Sequence, residues 1–93
     1  PYKEKKKTKA TGTADNYSKI LAGTYKTTAD LHLRNDAGTS HESLVVIPKD
    51  TEVQCYGYYS CPSGVKTKWY YIQAVVDKTQ YTGFSSSSYL KKK

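Results

Sequence analysis

The feature that most constrains this chain is a series of short, strand-like segments, each closed within a few residues by turn-forming residues. The clearest covers residues 52–59, where Val53, Cys55 and Gly57 alternate with polar and tyrosine residues. No segment keeps a helical period for more than one turn. Many short strands without helices predict an all-β fold, and 93 residues have room for one small, partly open barrel of antiparallel strands.

Turn chemistry separates the expected strands. These strands cover residues 24–33, 44–47, 52–59, 69–76 and 81–85. Small polar residues and glycine form a loop over residues 35–40, and Pro48 ends the apolar run that precedes it, because proline cannot donate a strand hydrogen bond. Alternation places His32 and Arg34 on the face of their strand opposite its two leucines.

The net charge of +7 is confined to the ends of the chain. Residues 1–22 carry six lysines against two acidic residues, and residues 91–93 are all lysine. Residues 23–90 carry six basic and six acidic residues and are neutral. A nucleic-acid domain needs its basic excess on the folded surface that approaches phosphates, so nucleic acid is not the expected partner. The lysine-rich ends are expected to be solvated and able to attract polyanions.

Charge and composition divide the chain into three parts. Residues 1–22, rich in Lys, Thr, Ala and Gly and without a strand or helix period, are expected to be a basic linker. Residues 23–90 are expected to be the folded domain, and residues 91–93 a basic tail. No run of about 18 apolar residues could span a membrane, and no apolar stretch follows the basic start as in a signal peptide. We therefore expect a domain of a larger protein that carries any export signal.

Three segments, in this order, resemble the bacterial SH3 family. LHLRNDAGTSHESLVVIPKDTEV resembles the first half of the family, in which a Leu-x-Val-Arg-like strand leads into a polar loop, a short apolar strand and a turn. KWYYIQ is similar to its Trp-Tyr-x-Val strand, and TGFSSSSYL to its closing Gly-aromatic-Val-Ser-Ser-x-Tyr-Leu signature. The resemblance covers about residues 23–90. Two positions depart from it: residues 35–38 lack the usual Gly-Pro, and Ser85 replaces an apolar residue, which suggests a weak last strand or a bulge.

The resemblance implies a half-open barrel that binds peptidoglycan, often its stem peptide or cross-bridge, beside the hydrolase of an autolysin or phage endolysin. The chain would then be a non-catalytic targeting domain, secreted to a Gram-positive cell wall or released at host lysis. Its partners would be peptidoglycan, anionic wall polymers attracted by the lysines, and a linked catalytic domain. Recognition of Pro-rich peptides, as in eukaryotic SH3 domains, is not expected, because the chain has no Ala-Leu-Tyr-Asp-Tyr-like motif and no tandem Trp.

The thiols and imidazoles do not predict a catalytic or metal site. They are Cys55, Cys61, His32 and His41. Cys55 lies on the expected core face of its strand, where a thiol is inert. Two cysteines at this spacing, without a second pair, match no usual zinc pattern, so no metal or cofactor is expected. Six extended residues separate their Cα atoms by roughly 20 Å, against about 7 Å for a disulfide. Both are therefore expected to be reduced.

The composition indicates a tyrosine-rich binding surface. Ten tyrosines stand against one Phe and one Trp, and a tyrosine ring packs on a sheet while its hydroxyl stays hydrated. The outward strand positions and the first loop form the candidate ligand patch: His32, Arg34, Asn35, His41, Tyr56, Tyr58, Trp69 and Tyr71. A Gly- or Ala-rich peptide would be held there by backbone hydrogen bonds and a flat aromatic floor.

Some of these residues have a structural alternative. Trp69 could be a core residue, and Arg34 could form a surface ion pair with Asp36 or Asp50. Three further aromatic residues are expected to pack rather than bind: Tyr81, Phe84 and Tyr89. The same tyrosine surface also permits a structural or protein-interaction module that packs on its own catalytic domain or dimerises.

Overall fold

Short strands make up most of the structure, a computed structural model that describes residues 6–62 and 66–93. The strands are β1 (Lys6–Lys9), β2 (Asn16–Tyr17), β3 (Gly23–Thr27), β4 (Leu31–Arg34), β5 (Ser43–Ile47), β6 (Glu52–Ser60), β7 (Trp69–Val76), β8 (Thr79–Ser86) and β9 (Leu90–Lys92). Single-turn 3-10 helices cover Lys19–Leu21 and Ser87–Tyr89. The all-β prediction is confirmed, and the curled antiparallel sheet is compatible with a small SH3-like half-barrel.

One sheet joins these strands in the order β5-β4-β8-β7-β6-β3-β9, with β1 beside β8 and β2 beside β6. Every described strand pair is antiparallel except β1 with β8. The longest pairing is the β7–β8 hairpin, whose register has no shift over its eight residue pairs. Its two-residue turn has positive φ at Asp77 (50°) and Lys78 (66°), the geometry of a type I′ turn, whose twist matches that of the strands.

One face of the sheet, which we call the inner face, carries the main apolar core. Its buried members come from β3 to β7: Tyr25, Leu33, Ile47, Val53, Cys55, Ile72 and Ala74. Burying an aliphatic side chain of this size contributes about 1.5–3 kcal/mol. Gly83 of β8 lies under this core, where an added Cβ would collide with the Leu33 side chain. The prediction that Cys55 faces the core is confirmed.

The opposite, outer face carries a second and smaller apolar cluster. Trp69 and Phe84 are 5% and 0% exposed and pack with Ala10 and Ala37. The Tyr71 ring lies beside them, with its centroid 5.0 Å from that of Phe84. An antiparallel sheet commonly leaves one face to solvent. Burial on both faces therefore requires a cover on the outer one.

The chain segment 10–17, which we call the strap, supplies this cover. Before it, β1 pairs with β8, and Ala10 N continues the pairing by donating to Thr82 O at 2.7 Å. At its other end, residues 16 and 17 of the strap form β2, which pairs with β6. The sequence predicted a linker over residues 1–22. In the structure, residues 6–9 and 16–17 of this segment pair with the sheet, whereas residues 1–5 lie outside the described residues. Small residues let a chain lie flat on an aromatic surface without any strand period, which is why the prediction missed it.

The lysines at the C-terminal end also belong to the sheet rather than to a free tail. Leu90–Lys92 forms β9, which is antiparallel to β3, and Lys93 N donates to Thr24 O at 2.9 Å. The Lys93 ammonium forms an ion pair with Glu52, and its hydrogen bond lowers the pKa of that carboxyl. Lysine is common on edge strands because its charge discourages pairing with another chain.

The irregularity suggested at Ser85 lies elsewhere in the sheet. Ser85 continues the β7–β8 register, and its fully buried Oγ donates to His32 O at 2.9 Å, joining β8 to β4. The register shifts instead between Cys55 and Tyr59, where β6 has more residues than the facing part of β7, and between Leu33 and Arg34 in the pairing of β4 with β5. The buried hydroxyl is tolerated at Ser85 because it has this acceptor.

Candidate ligand-binding site

The outer face brings much of the predicted ligand patch into one row across the sheet. Arg34 of β4 is the register partner of Phe84 in β8, and Phe84 is the partner of Tyr71 in β7. Tyr56 and Tyr58 follow at outward positions of β6 and are 53% and 47% exposed. Register partners project from the same face of a sheet, so strand alternation alone brings these side chains together.

Trp69 lies on this face but is covered. Its ring is 5% exposed and packs against Ala10 and Ala14 of the strap. Its register partner Ser60 is also buried and accepts a hydrogen bond from Asp15 N at 3.1 Å. The prediction that the indole is part of a flat floor for a ligand is therefore wrong. Trp69 is a core residue, which was the structural alternative. The strap, which the sequence did not reveal, is the physical reason.

Asn35 is used to hold the strap. Its Oδ1 accepts from Thr11 N at 2.8 Å, and its Nδ2 donates to Thr11 Oγ1 at 2.6 Å. Its main-chain carbonyl accepts from Gly12 N at 3.0 Å. An added Cβ at Gly12 would lie 2.5 Å from Asp36 Cγ, so only glycine allows this approach. The Asn35 amide was predicted to contact a ligand directly, but in the structure it positions the segment that borders the site.

Tyrosines hold the other end of the strap. Tyr17 is the register partner of Tyr58, and their ring centroids are 4.9 Å apart. Ser18 N donates to Gly57 O at 2.8 Å. Gly57 has φ of 99°, and an added Cβ would lie 2.8 Å from Ser18 O. The glycine in the β6 bulge thus lets the strap reach the sheet.

Arg34 and the histidines surround the loop after β4. Arg34 Nη1 donates to His41 O at 2.9 Å, and its buried Nε has no hydrogen-bond partner in the described part of the chain. Asp50 lies 4.0 Å from Lys26. Within residues 6–62 and 66–93, Arg34 forms no ion pair with Asp36 or Asp50. Arg34 is held by the loop backbone instead.

A pocket of about 510 Å³ lies where the strap meets the outer face. Eight residues line it: Lys9, Ala10, Thr11, Gly12, Thr13, Ala14, Tyr58 and Tyr71. Burial raises the pKa of Tyr71 further above neutral pH, where a phenol is protonated and can donate a hydrogen bond. A volume of this size lies in the range of small-ligand sites. Two residues of the predicted patch, Tyr58 and Tyr71, therefore border a cavity.

This pocket offers binding groups rather than reactive ones. Small side chains on one side leave the strap backbone accessible, and two aromatic rings come from β6 and β7. The thiols lie apart: Cys55 is buried on the inner face, and Cys61 is exposed. Burial raises the pKa of Cys55, which keeps it in the thiol form. Both cysteines are free in the structure.

The histidines are also separate from the pocket. His32 Nδ1 is 2.7 Å from Ser43 Oγ, and His41 lies on the exposed loop after β4. Neither imidazole lines the cavity. In the described ranges, no group of three or more His, Cys, Asp or Glu side chains could hold a metal ion.

The structure thus separates the predicted patch. Tyr58 and Tyr71 line the pocket, Asn35 anchors the strap, and Trp69 is a core residue. The remaining members lie outside the pocket: Tyr56 on β6, and His32, Arg34 and His41 at β4 and the loop after it.

Comparisons with known proteins give no relative. No protein-family model, no curated protein and no solved structure matches this chain. Within the part of the chain that the structure describes, we find no helix with the length and apolar character needed to cross a membrane.

Proposed function

We propose that this chain is a bacterial SH3 domain that binds peptidoglycan, has no catalytic activity of its own, and holds a linked hydrolase, such as an endolysin or autolysin, on a Gram-positive cell wall. The three sequence segments that resemble the family support this assignment. The single observation that carries the proposal is the pocket between the strap and the two tyrosines of the outer face. Its volume is sufficient for a short ligand.

The walls of the pocket favour a peptide as the ligand. One side is strap backbone without regular secondary structure, whose polar groups can hydrogen-bond to a peptide. The other side holds Tyr58 and Tyr71, whose rings can pack on a peptide and whose hydroxyls can hydrogen-bond to it. Recognition of this kind needs little from the side chains of the ligand. It therefore suits the Ala- and Gly-rich stem and cross-bridge peptides of the wall.

The lysines on the edge of the sheet give a second, weaker attraction. Lys26 and Lys91 are register partners on β3 and β9, so their charges lie on the same side of the sheet. Exposed lysines attract any polyanion through a Coulomb interaction that salt screens. We propose that anionic wall polymers strengthen retention by this route, while the pocket between the strap and the outer face supplies the specificity. The site of action is then the cell wall, after secretion or after release at host lysis.

Retention on purified walls tests the proposal. We expect the chain to co-sediment with Gram-positive peptidoglycan at physiological salt. Tyr58→Ala should weaken binding at least tenfold, whereas Tyr89→Ala, which truncates an equally exposed tyrosine on the second 3-10 helix, should not. Circular dichroism checks that both variants fold. No retention of the wild type, or equal loss in both variants, would overturn the proposal.

A second candidate function rests on exposed apolar side chains near β2 and β6. Tyr17, Ile20, Tyr56 and Tyr58 are between 47% and 82% exposed. A group of such residues is typical of a protein-interaction surface. If these residues form such a surface, the chain packs on the catalytic domain to which it is linked, or it dimerises. A mass that rises with concentration in analytical ultracentrifugation, together with no wall retention, would favour it over wall binding.

A further inference from the structure

We infer that the outer-face pocket captures the free C-terminal carboxylate of a short peptide that ends in small residues. This inference rests on the proposed function, since it specifies which part of a wall peptide the same site recognises. A preference for a free carboxylate would distinguish two classes of wall peptide. Uncross-linked stem peptides end in a carboxylate, whereas cross-linked stems and bridges present amide bonds at the corresponding position.

The first argument is the charge of the pocket. Lys9 is the only charged residue among the eight that line it, and none of the eight is acidic. Lys9 is exposed and forms no ion pair with the described residues. A carboxylate entering this pocket meets one ammonium group and no competing negative charge. The interior of a longer peptide has no charge to offer Lys9.

The second argument is the set of backbone donors along the strap. Four of its N–H groups already have protein acceptors: those of Ala10, Thr11, Gly12 and Asp15. The N–H groups of Thr13 and Ala14 have no acceptor among residues 6–62 and 66–93. Both residues line the pocket. A backbone amide without a protein acceptor and the Lys9 ammonium are the kinds of donor that suit a carboxylate, which accepts several charge-assisted hydrogen bonds.

The third argument is the size and polarity of the remaining walls. Ala10 and Ala14 present methyl groups, and Tyr58 and Tyr71 present rings. Such walls accept methyl groups or glycine next to the carboxylate. The volume of about 510 Å³ holds two or three small residues. Backbone capture of a terminal carboxylate is an established mode of peptide recognition. Charge, donors and volume therefore point to the same end of the ligand.

A matched pair of peptides tests this inference on the full 93-residue chain. The probes are acetyl-trialanine with a free carboxylate and the same peptide as its C-terminal amide, each in the D and L forms. Binding is followed by the amide signals of Thr13 and Ala14 in NMR titrations. Of the D and L free acids, one should bind more tightly. We expect that free acid to bind at least tenfold more tightly than the amide of the same configuration. Lys9→Gln should abolish this preference, whereas Lys9→Arg should retain it.

Lys49→Gln is the control for net charge, because Lys49 is exposed in the turn after β5 and does not line the pocket. It should leave the preference for the acid unchanged. Equal binding of acid and amide, no binding of either, or a preference that survives Lys9→Gln would overturn the inference. If walls still retain the chain in any of these cases, the proposed function stands and only carboxylate capture fails. If walls do not retain it either, both fail.

Discussion

Asn35 and Thr11 are joined by two hydrogen bonds between the loop after β4 and the strap: Thr11 N donates to Asn35 Oδ1 at 2.8 Å, and Asn35 Nδ2 donates to Thr11 Oγ1 at 2.6 Å. The two residues are 24 positions apart in the sequence. Between its pairing with β8 and its pairing with β6, this contact is one of those that hold the strap on the outer face, together with the bonds from Gly12 N to Asn35 O and from Asp15 N to Ser60 Oγ. The strap forms one wall of the pocket, so the pocket depends on these contacts.

Asn35→Ala should therefore loosen the strap without unfolding the sheet. Each lost hydrogen bond contributes about 0.5–1.5 kcal/mol, and because both are exposed we expect a total cost of about 1 kcal/mol. Hydrogen exchange at the Thr11 and Gly12 amides should become faster. Asn35→Asp keeps the Oδ1 acceptor and should preserve protection at Thr11. Unchanged exchange in the alanine variant would show that the strap is held by other contacts.

Gly57→Ala should displace the other end of the strap. Its φ of 99° is unfavourable for alanine, which costs of order 1–3 kcal/mol, and the new Cβ would meet Ser18 O and the Tyr17 ring at 2.8 Å. Gly38→Ala is a matched control, because φ there is 120° but the nearest side-chain atom, His41 Cδ2, is 3.5 Å away. Urea denaturation should show the larger loss for Gly57→Ala. Equal losses would mean that backbone strain alone acts at both positions.

Strand alternation predicted the sheet well but not what covers it. It placed Cys55 towards the core and brought Arg34 and Tyr71 to the outer face, because a period of two is local information. It could not show that Trp69 is buried, since that depends on a segment more than fifty residues earlier in the chain. Residues 10–17 have no apolar period, and small side chains with a few anchoring hydrogen bonds leave no periodic signal in the sequence.

The lysines at residues 91–93 show the same limit of prediction from the sequence. Their charge predicted a solvated tail, yet Leu90–Lys92 pairs with β3. Strand pairing is made by the backbone, and an edge strand with exposed side chains can be charged at every outward position. The pairing of β9 with β3 depends on how the rest of the fold places the C-terminal segment beside β3. The sequence of that segment alone therefore does not predict the pairing.

Ser85→Ala should destabilise the junction of β8 with β4. The change removes the bond to His32 O and leaves a partly buried carbonyl without its partner, which costs about 1–2 kcal/mol. Ser88→Ala, at an exposed position of the second 3-10 helix, should change the free energy of unfolding by less than about 0.5 kcal/mol. Urea denaturation measures both. Similar values for the two variants would contradict a structural role of the Ser85 hydroxyl.

Alkaline pH should weaken the inner core through Tyr25. Burial raises the pKa of Tyr25 to about 12, whereas an unfolded tyrosine titrates near pH 10. The folded state thus holds this proton more tightly, so its contribution to stability is complete below about pH 10 and is lost as the pH rises towards about 12. Burial also raises the pKa of Tyr70 and Tyr71 in the same direction.

Tyr25→Phe isolates this effect in the pH dependence of unfolding. The variant also loses the hydrogen bond from Tyr25 Oη to Leu21 O, so it should be less stable at neutral pH. Between about pH 10 and 12, its stability should fall less steeply than that of the wild type, by up to about 1.4 kcal/mol per pH unit. Parallel pH profiles would show that Tyr25 does not titrate differently in the two states.

An NMR titration of the full chain with soluble peptidoglycan fragments tests the central claim most directly. If a wall peptide binds between the strap and the outer face, shifts should concentrate at residues 9–14, Tyr58 and Tyr71 and saturate together. Residues on the far edge of the sheet, such as Val46 and Lys49, should stay unchanged. Saturating shifts at that far edge, or no shifts at millimolar fragment, would contradict the claim.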